Sequence, residues 1–343
     1  MKLGGKASVL PLLIVAYSLV ASTLLVMNKV ALSSFPHPST LLFLQLAIAA
    51  AGVKLGDLLG LVEADPLTAD KAWASSAVVL AFYGVVISNF KALSYVNVDT
   101  VIVVRTCMPF VVAVGEFAFM NRNLPSVRTW ISMALVCGTT SWVMLRDTQV
   151  PTLGLVWLSI WFGTAVFDML YLKHFTTAVK LSTFGRVYYT NTLSCIPALI
   201  IMVVHGELTP SVFVTLFTTP RALLAAFVTG LLGLAMSILS WALRSAVSAL
   251  SFTVIGVMNK VLSVMINGVI WDKHGSTMGM LLTVGGILAG ALYEQPAPRE
   301  RGQRLPINKN LALVLMVGMI ATIVFAISRL GALLEHPTPF THP

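Results

Sequence analysis

The sequence has 343 residues, of which 57% are hydrophobic and only 10% are charged, and its formal net charge is +9. A soluble domain carries about 25% charged residues, so this chain has too little polar surface to cover a globule in water. The composition excludes a soluble globular protein and indicates a polytopic membrane protein whose outer solvent is lipid.

Ten apolar stretches are each long enough for a membrane helix, which needs about 20 mostly apolar residues. The predicted spans are 9–31, 38–56, 73–95, 98–119, 128–145, 152–172, 186–205, 222–241, 247–270 and 276–293. The connections between them are short and contain proline, as at Pro36, Pro125 and Pro151, which is typical of turns. We therefore expect an all-α membrane protein without an extramembrane catalytic domain.

The basic residues are divided unequally between the two sides that ten spans define. Fourteen Lys and Arg residues fall on the side of both termini, and only Arg146, Arg221 and Lys273 fall on the other. Because Lys and Arg are enriched in cytosolic loops, both termini are predicted in the cytosol. The positive charge then follows from topology, and no nucleic-acid partner is implied.

A short internal match supports two halves of five spans. Thr100-Val101-Ile102 precedes Arg105 in the fourth predicted span, and Thr253-Val254-Ile255 precedes Lys260 in the ninth. An odd number of spans in each half makes the halves inverted in the membrane, which is typical of proteins that work by alternating access.

The predicted division is a first transmembrane half at 1–145, a second at 146–293 and a C-terminal tail at 294–343. Within the tail, 310–328 is apolar and uncharged. This segment either spans the membrane as an eleventh helix or lies partly buried at its surface. Because it is outside both repeats, we expect it to be dispensable for substrate specificity.

Four cations lie within or at the edge of apolar spans: Lys29, Lys91, Arg105 and Lys260. A cation in hydrocarbon costs at least a few kcal/mol, so each must face a wet or paired interior or extend to the interface. Cations that line one cavity would suit an anionic substrate. Extension to the interface is favoured for Lys91 and is least compatible with Lys260, which lies fourteen residues into its span.

The ninth predicted span combines three residue types suited to ligand binding. Gly256 and Lys260 are four residues apart, and Asn259 is three from Gly256, so all three share a helix face. Glycine permits close approach of a ligand or a neighbouring helix, asparagine offers a donor and an acceptor, and lysine supplies a point charge for phosphate.

The segment Gly256-Val257-Met258-Asn259-Lys260 resembles the Gly-Ala-Leu-Asn-Lys motif of Golgi GDP-mannose transporters, in the nucleotide-sugar branch of the drug/metabolite transporter superfamily. The similarity continues in register: Val187–Ser194 resembles the family's Phe-Tyr-Asn-Asn motif with the Leu-Ser after it, and Ser240–Arg244 resembles the segment upstream of the lysine motif. Ala16-Tyr17, eleven residues before Asn28-Lys29, and Leu292-Tyr293 also match.

The resemblance implies substrate-binding roles for twelve residues: Tyr17, Asn28, Tyr188, Tyr189, Thr190, Asn191, Ser237, Ser240, Phe252, Gly256, Asn259 and Lys260. The four residues from 188 to 191 correspond to the nucleobase motif, and the two serines to nucleoside contacts. The last three correspond to the motif for sugar and phosphate, whereas Tyr17 matches a tyrosine near the sugar.

Two of these positions depart from the family pattern. Thr190 stands where the family has an asparagine and loses an amide, and Phe252 stands where it has a tyrosine and loses a hydroxyl. Because specificity depends steeply on matching of buried polar groups, either change could weaken guanine binding or shift the preferred base or sugar.

The resemblance implies an antiporter of the Golgi membrane that exchanges cytosolic GDP-sugar, of the GDP-mannose type, for lumenal GMP. An alternative is a UDP-sugar or sugar-phosphate/phosphate exchanger of the same superfamily, which the threonine at position 190 keeps open. We expect no enzymatic activity, no cofactor and no metal. The expected partners are the nucleotide sugar, the nucleoside monophosphate and the bilayer, and a homodimer is left open.

Overall fold

The computed structural model describes residues 4–96, 98–144, 151–270, 285, 286, 288–290, 292–299 and 308–334, and for 4–8, 98–99, 142–144, 260–270 and 328–334 it describes the backbone alone. The helices in these residues are α1 (Gly4–Ser34), α2 (Pro38–Leu58), α3 (Ala69–Leu93), α4 (Val98–Thr106), α5 (Met108–Phe119), α6 (Val127–Met144), α7 (Thr152–Ala178), α8 (Thr183–Val204), α9 (Pro210–Thr218), α10 (Pro220–Ala246), α11 (Ala249–Ile270) and α12 (Lys309–Leu334). The described part contains one isolated β-bridge, Arg122–Pro298.

Proline marks the start of several helices. Pro38, Pro210 and Pro220 each stand in the first turn of α2, α9 and α10. An N–H at that position would have no partner within the helix, so proline loses nothing by lacking one. Its fixed φ also suits the helix start. Proline residues therefore mark the boundaries between apolar segments in the sequence and the starts of these helices in the structure.

Eight helical stretches have the length and apolar composition needed to cross a membrane: Val9–Ser34, Pro38–Leu58, Ala69–Leu93, Thr100–Phe119, Thr152–Ala178, Thr183–Val204, Pro220–Ala246 and Lys309–Ile327. Seven of them coincide with predicted spans, and the eighth is the C-terminal segment. The predicted spans 128–145 and 247–270 are also helical, as α6 and α11, whereas 276–293 lies largely outside the described residues. The chain is thus a polytopic helical membrane protein, and its ten-span count stays a prediction.

Contacts divide the chain into two compact units. Unit 1 comprises Met1–Tyr83 and Leu172–Val247, and unit 2 comprises Gly84–Tyr171 and Ser248–Pro343. Each unit contains segments from before and after residue 146, so the contact units do not coincide with the two predicted halves, which are defined by the internal repeat. The contacts do not test the predicted boundaries of the two halves and the tail.

In unit 1, α10 packs against α1 and α2, and α2 packs against α8. Glycines on these helices allow close contact: a Cβ at Gly230 would lie 2.5 Å from Ile48 Cδ1, and one at Gly52 would lie 2.7 Å from Leu234 Cδ2. Small residues commonly bring helices together in this way inside membranes. The glycines at 52 and 230 therefore have a packing role.

In unit 2, the buried cluster is formed mainly by α4, α5 and α7 with contributions from α11 and α12. Glu116 of α5 is only 1% exposed, and its Oε1 accepts a 2.5 Å hydrogen bond from the backbone N–H of Ala249, the first residue of α11. The first N–H groups of a helix have no partner within it. The buried carboxylate thus satisfies one of them.

The C-terminal helix α12 contributes Met316, Val324 and Ile327 to this same cluster. We expect truncation after Arg304 to leave nucleotide preference unchanged but to destabilise unit 2, because the rest of the cluster loses the three α12 side chains that pack against it. Thermal unfolding in detergent should then begin at least about 3 °C lower, which corresponds to roughly 1 kcal/mol for a domain of this size. A truncated protein that changes which nucleotide it binds would contradict the prediction.

Candidate functional site

Helix α8 carries the predicted nucleobase motif. Its N-cap residue, Ser182, has extended backbone angles, and its hydroxyl accepts a 2.9 Å hydrogen bond from the N–H of Gly185. Such a side-chain cap satisfies one of the free donors at the helix start. The cap fixes where α8 begins, and hence which faces its later residues occupy.

Tyr189 is fully buried in unit 1. Its hydroxyl donates to the carbonyl of Pro66 and accepts a 2.7 Å hydrogen bond from the N–H of Thr68, both in the α2–α3 connection. Tyr188 is partly exposed, and its ring is nearly perpendicular to that of Tyr189. The structure therefore gives the Tyr189 hydroxyl an internal contact, and the nucleobase role of both tyrosines stays a prediction.

Thr190, Asn191 and Ser237 come together between α8 and α10. Asn191 Nδ2 donates to the carbonyl of Val187 at 2.8 Å and to Ser237 Oγ at 3.4 Å. Thr190 Oγ1 donates to the carbonyl of Arg186 at 2.7 Å and accepts from Trp241 Nε1 at 3.3 Å. The hydroxyl at 190 is thus used inside the protein.

Trp241 is a residue that sequence reasoning missed as part of this cluster. The indole lies next to Ser240 in the segment that resembles the family, and its N–H is a donor without acceptor capacity. Its ring also packs against Phe175, with the centroids 5.8 Å apart. Ser240 itself is partly exposed, and its Oγ accepts a 3.5 Å hydrogen bond from Arg244 Nε.

On the α1 side of the same unit, Asn28 Oδ1 accepts a 2.8 Å hydrogen bond from Gln45 Nε2. Tyr17 is buried, with 7% of its surface exposed. Gln45 was not among the predicted site residues, although an amide inside an apolar span is a recognisable sign of an internal polar contact. The bond orients Asn28 and leaves its amide nitrogen as a donor.

Unit 2 holds the α11 part of the predicted site. Phe252 is buried, whereas Gly256 and Asn259 are partly exposed. Among the described residues, a Cβ at Gly256 would meet no atom within 4 Å, so no described neighbour requires a glycine at this position. The backbone of Lys260 lies in α11, and its side chain is outside the described part.

Among the other predicted intramembrane cations, Arg105 lies in the same unit as α11. Its guanidinium stands 5.2 Å from the ring centroid of Trp161, a residue that is fully buried. A cation over an indole face is attracted by the ring quadrupole. Lys29 and Lys91 are exposed side chains.

No protein-family model matches the chain. Curated relatives include the GDP-mannose transporter GONST3 of Arabidopsis thaliana, 33% identical over 283 residues, which cover 81% of this chain and 76% of that protein. The GDP-fucose transporter 1 of the same plant is 32% identical over 303 residues, which are 87% of each chain.

More distant matches agree with these. UDP-galactose/UDP-glucose transporter 7 of Arabidopsis thaliana is 23% identical over 287 residues, 81% of this chain. A solved crystal structure with 15% identity superimposes with a TM-score of 0.59 over 83% of this chain and 97% of that one, which shows a common fold. The identity to the first two relatives over most of both chains shows that this chain belongs to the nucleotide-sugar transporter family.

Proposed function

We propose that this protein is an antiporter that exchanges cytosolic GDP-sugar, of the GDP-mannose type, for lumenal GMP across the Golgi membrane. The proposal includes ten spans arranged as two inverted halves of five, cytosolic termini and alternating access. Support comes from relatives at 32–33% identity that are named for GDP-mannose and GDP-fucose transport.

The Asn191–Ser237 pair carries the assignment of guanine. The Watson–Crick edge of guanine has donors at N1 and N2 and an acceptor at O6. Among the described contacts, Asn191 makes both of its side-chain hydrogen bonds through Nδ2, so its carbonyl oxygen is the acceptor it can offer to N1–H or N2–H. Ser237 adds a hydroxyl that can donate or accept.

The lysine motif on α11 is proposed to bind the sugar and the diphosphate. No described atom lies within 4 Å of a Cβ built at Gly256, and Asn259 and Lys260 lie on the same face of the helix. An ammonium group is a compact charge suited to phosphate oxygens. Tyr17 and Asn28 are proposed as further sugar contacts, and Phe252 as an apolar contact.

A UDP-sugar exchanger is the second candidate. Two observations favour it: Thr190 already uses its hydroxyl for Arg186 and Trp241, and a relative named for UDP-galactose and UDP-glucose transport matches 81% of the chain. Uracil presents a single N–H donor on its pairing edge, so one asparagine oxygen would satisfy it.

Counter-transport separates the two candidates. Purified protein is reconstituted into vesicles preloaded with GMP or UMP, and uptake of GDP-mannose, GDP-fucose, GDP-arabinose and UDP-sugars is measured. We expect GMP-loaded vesicles to take up a GDP-sugar and UMP-loaded vesicles to take up little. Faster exchange in UMP-loaded vesicles would overturn the guanine assignment.

Replacing Thr190 with asparagine is expected to sharpen the preference for GMP over UMP. The longer amide can accept from Trp241 and still present its nitrogen to guanine O6, which adds one hydrogen bond worth roughly 1 kcal/mol, or about five-fold in affinity. Thr177→Asn, the same change at an exposed position of α7, is the control. A preference that stays unchanged or falls would contradict the role of position 190.

A further inference from the structure

Helix α8 has an incomplete capping box. In the complete motif, the N-cap serine accepts from the N3 N–H, and the N3 glutamate or glutamine reaches back to the N-cap N–H. Ser182 makes the first bond, but the N3 residue is Gly185, which has no side chain. The carboxylate of Asp65, from the α2–α3 connection, instead accepts the Ser182 N–H at 2.8 Å through Oδ2.

Gly185 is what permits this replacement. A Cβ at position 185 would lie 2.9 Å from Asp65 Cγ and closer still to Oδ2, so any other residue would displace the carboxylate. Glycine inside a helix costs about 0.5–1 kcal/mol relative to alanine. The close approach of Asp65 gives a physical reason for a glycine that the helix alone would not favour.

Three further hydrogen bonds tie residues 63–68, here called the α8 latch, to the same face of α8. Ser182 Oγ donates to the carbonyl of Glu63 at 3.3 Å. Tyr189, four residues after Gly185, donates to Pro66 and accepts from Thr68. Residues 182, 185 and 189 lie above one another on the helix surface, so the latch follows the first two turns.

We propose that the α8 latch positions the base-recognition residues of α8 and that Asp65 is its positioning residue. The inference rests on the proposed function, because Thr190 and Asn191 directly follow the latched Tyr189. These two residues meet Trp241 and Ser237 of α10 at distances of 3.3 and 3.4 Å. A shift or rotation of α8 would alter both contacts and, with them, the preference for one base.

The hydrogen bond, and not the charge, is expected to matter at Asp65. Lys71 Nζ lies 3.1 Å from Asp65 Oδ1, with the two side chains 33% and 19% exposed, and such surface pairs contribute about 0–1 kcal/mol. Burial alone would raise the pKa of this carboxyl, but the hydrogen bonds from Ser182 and Lys71 outweigh it and hold the pKa below its ordinary value. Asp65 is therefore ionised at neutral pH.

The test measures GMP affinity, UMP affinity and thermal unfolding of the purified full-length protein. Asp65→Ala is expected to weaken binding of the preferred nucleotide by up to about ten-fold, because a displaced α8 loses one hydrogen bond to the base, and to reduce the GMP-to-UMP affinity ratio. Asp65→Asn keeps an oxygen that accepts the Ser182 N–H and should retain most of the ratio. Asp70→Ala removes an exposed carboxylate of α3 and should have no effect.

Variants at Gly185 separate positioning from simple capping. Gly185→Ala should reproduce the Asp65→Ala phenotype, and the double variant should be no worse than either, because both changes remove one contact. In the Asp65→Ala background, Gly185→Glu supplies the missing N3 carboxylate on α8 itself. Asp65→Ala should lower the unfolding temperature, because the Ser182 N–H loses its acceptor, and we expect Gly185→Glu to restore that temperature while the affinity ratio stays reduced.

Two results would overturn the positioning role: parent-like affinities for both nucleotides in Asp65→Ala, or full recovery of the affinity ratio by Gly185→Glu. The second result would mean that Asp65 only caps the helix. A parent protein that prefers UMP would overturn the proposed function instead. In that case the positioning role stands if Asp65→Ala reduces the preference for UMP over GMP, and it falls if that preference is unchanged.

Discussion

Replacement of Lys260 with alanine is expected to weaken binding of GDP-sugar and GMP by about ten- to a hundred-fold while guanosine binding scarcely changes. Loss of a hydrogen bond to a charged group costs roughly 1.5–3 kcal/mol, which corresponds to that range of affinity. Guanosine lacks phosphate and so has no partner for the ammonium group. Binding of the three ligands to purified parent and variant measures the effect.

Lys260→Arg separates charge from shape at this position. The guanidinium keeps the charge but is planar and prefers two parallel hydrogen bonds, so we expect only partial recovery of GMP binding. Lys309→Ala, which removes an exposed lysine at the start of α12, is the control for net charge. Equal losses for guanosine and GMP would mean that Lys260 supports the fold, and the phosphate assignment would fall.

The helices could be predicted because each depends on local information. Runs of apolar residues of membrane-spanning length identified α1, α2, α8 and α10 to within about five residues, and prolines mark the starts of α2 and α10. The fourth predicted span, 98–119, is instead divided into α4 and α5 at Cys107. Pro109, in the first turn of α5, is the local signal that such a break is present.

The helix ends that bind carboxylates could not be predicted, because those carboxylates are remote in the sequence. Asp65 and Ser182 are 117 residues apart, and Glu116 and Ala249 are 133 apart. Glu207 similarly accepts from the backbone N–H of Thr40, 167 residues away. A single sequence shows a carboxylate near an apolar span but not which helix end it satisfies, since that depends on the packing of helices.

The site was predictable as a set of residue types and only partly as a set of contacts. The sequence identified Asn191 and Ser237, which the structure brings within 3.4 Å. It also assigned Tyr189 to the nucleobase, although that hydroxyl is bonded to the α2–α3 connection. The sequence did not reveal this hydroxyl contact, because its partners lie more than 120 residues away, and the nucleobase role of the ring stays a prediction.

Gly256→Leu is expected to leave folding unchanged and to reduce nucleotide-sugar binding by about a hundred-fold. A Cβ at position 256 meets no described atom within 4 Å, so no described neighbour would clash with a substituent there. A bound sugar or phosphate would occupy that space in the proposed complex. Overfilling a close contact costs about 1–3 kcal/mol, which is roughly five- to 150-fold in affinity, and leucine should approach the upper limit.

Gly230→Leu is the matched control, because the same substitution is expected to have the opposite pattern. A Cβ at Gly230 would lie 2.5 Å from Ile48 Cδ1, so leucine should lower the unfolding temperature through a clash between α10 and α2. Thermal unfolding and GDP-mannose binding are measured for both variants. If Gly256→Leu melts at the parent temperature and binds GDP-mannose as tightly as the parent, the substrate does not lie against this face of α11. The roles proposed for Asn259 and Lys260 would then fall together, since both depend on that face.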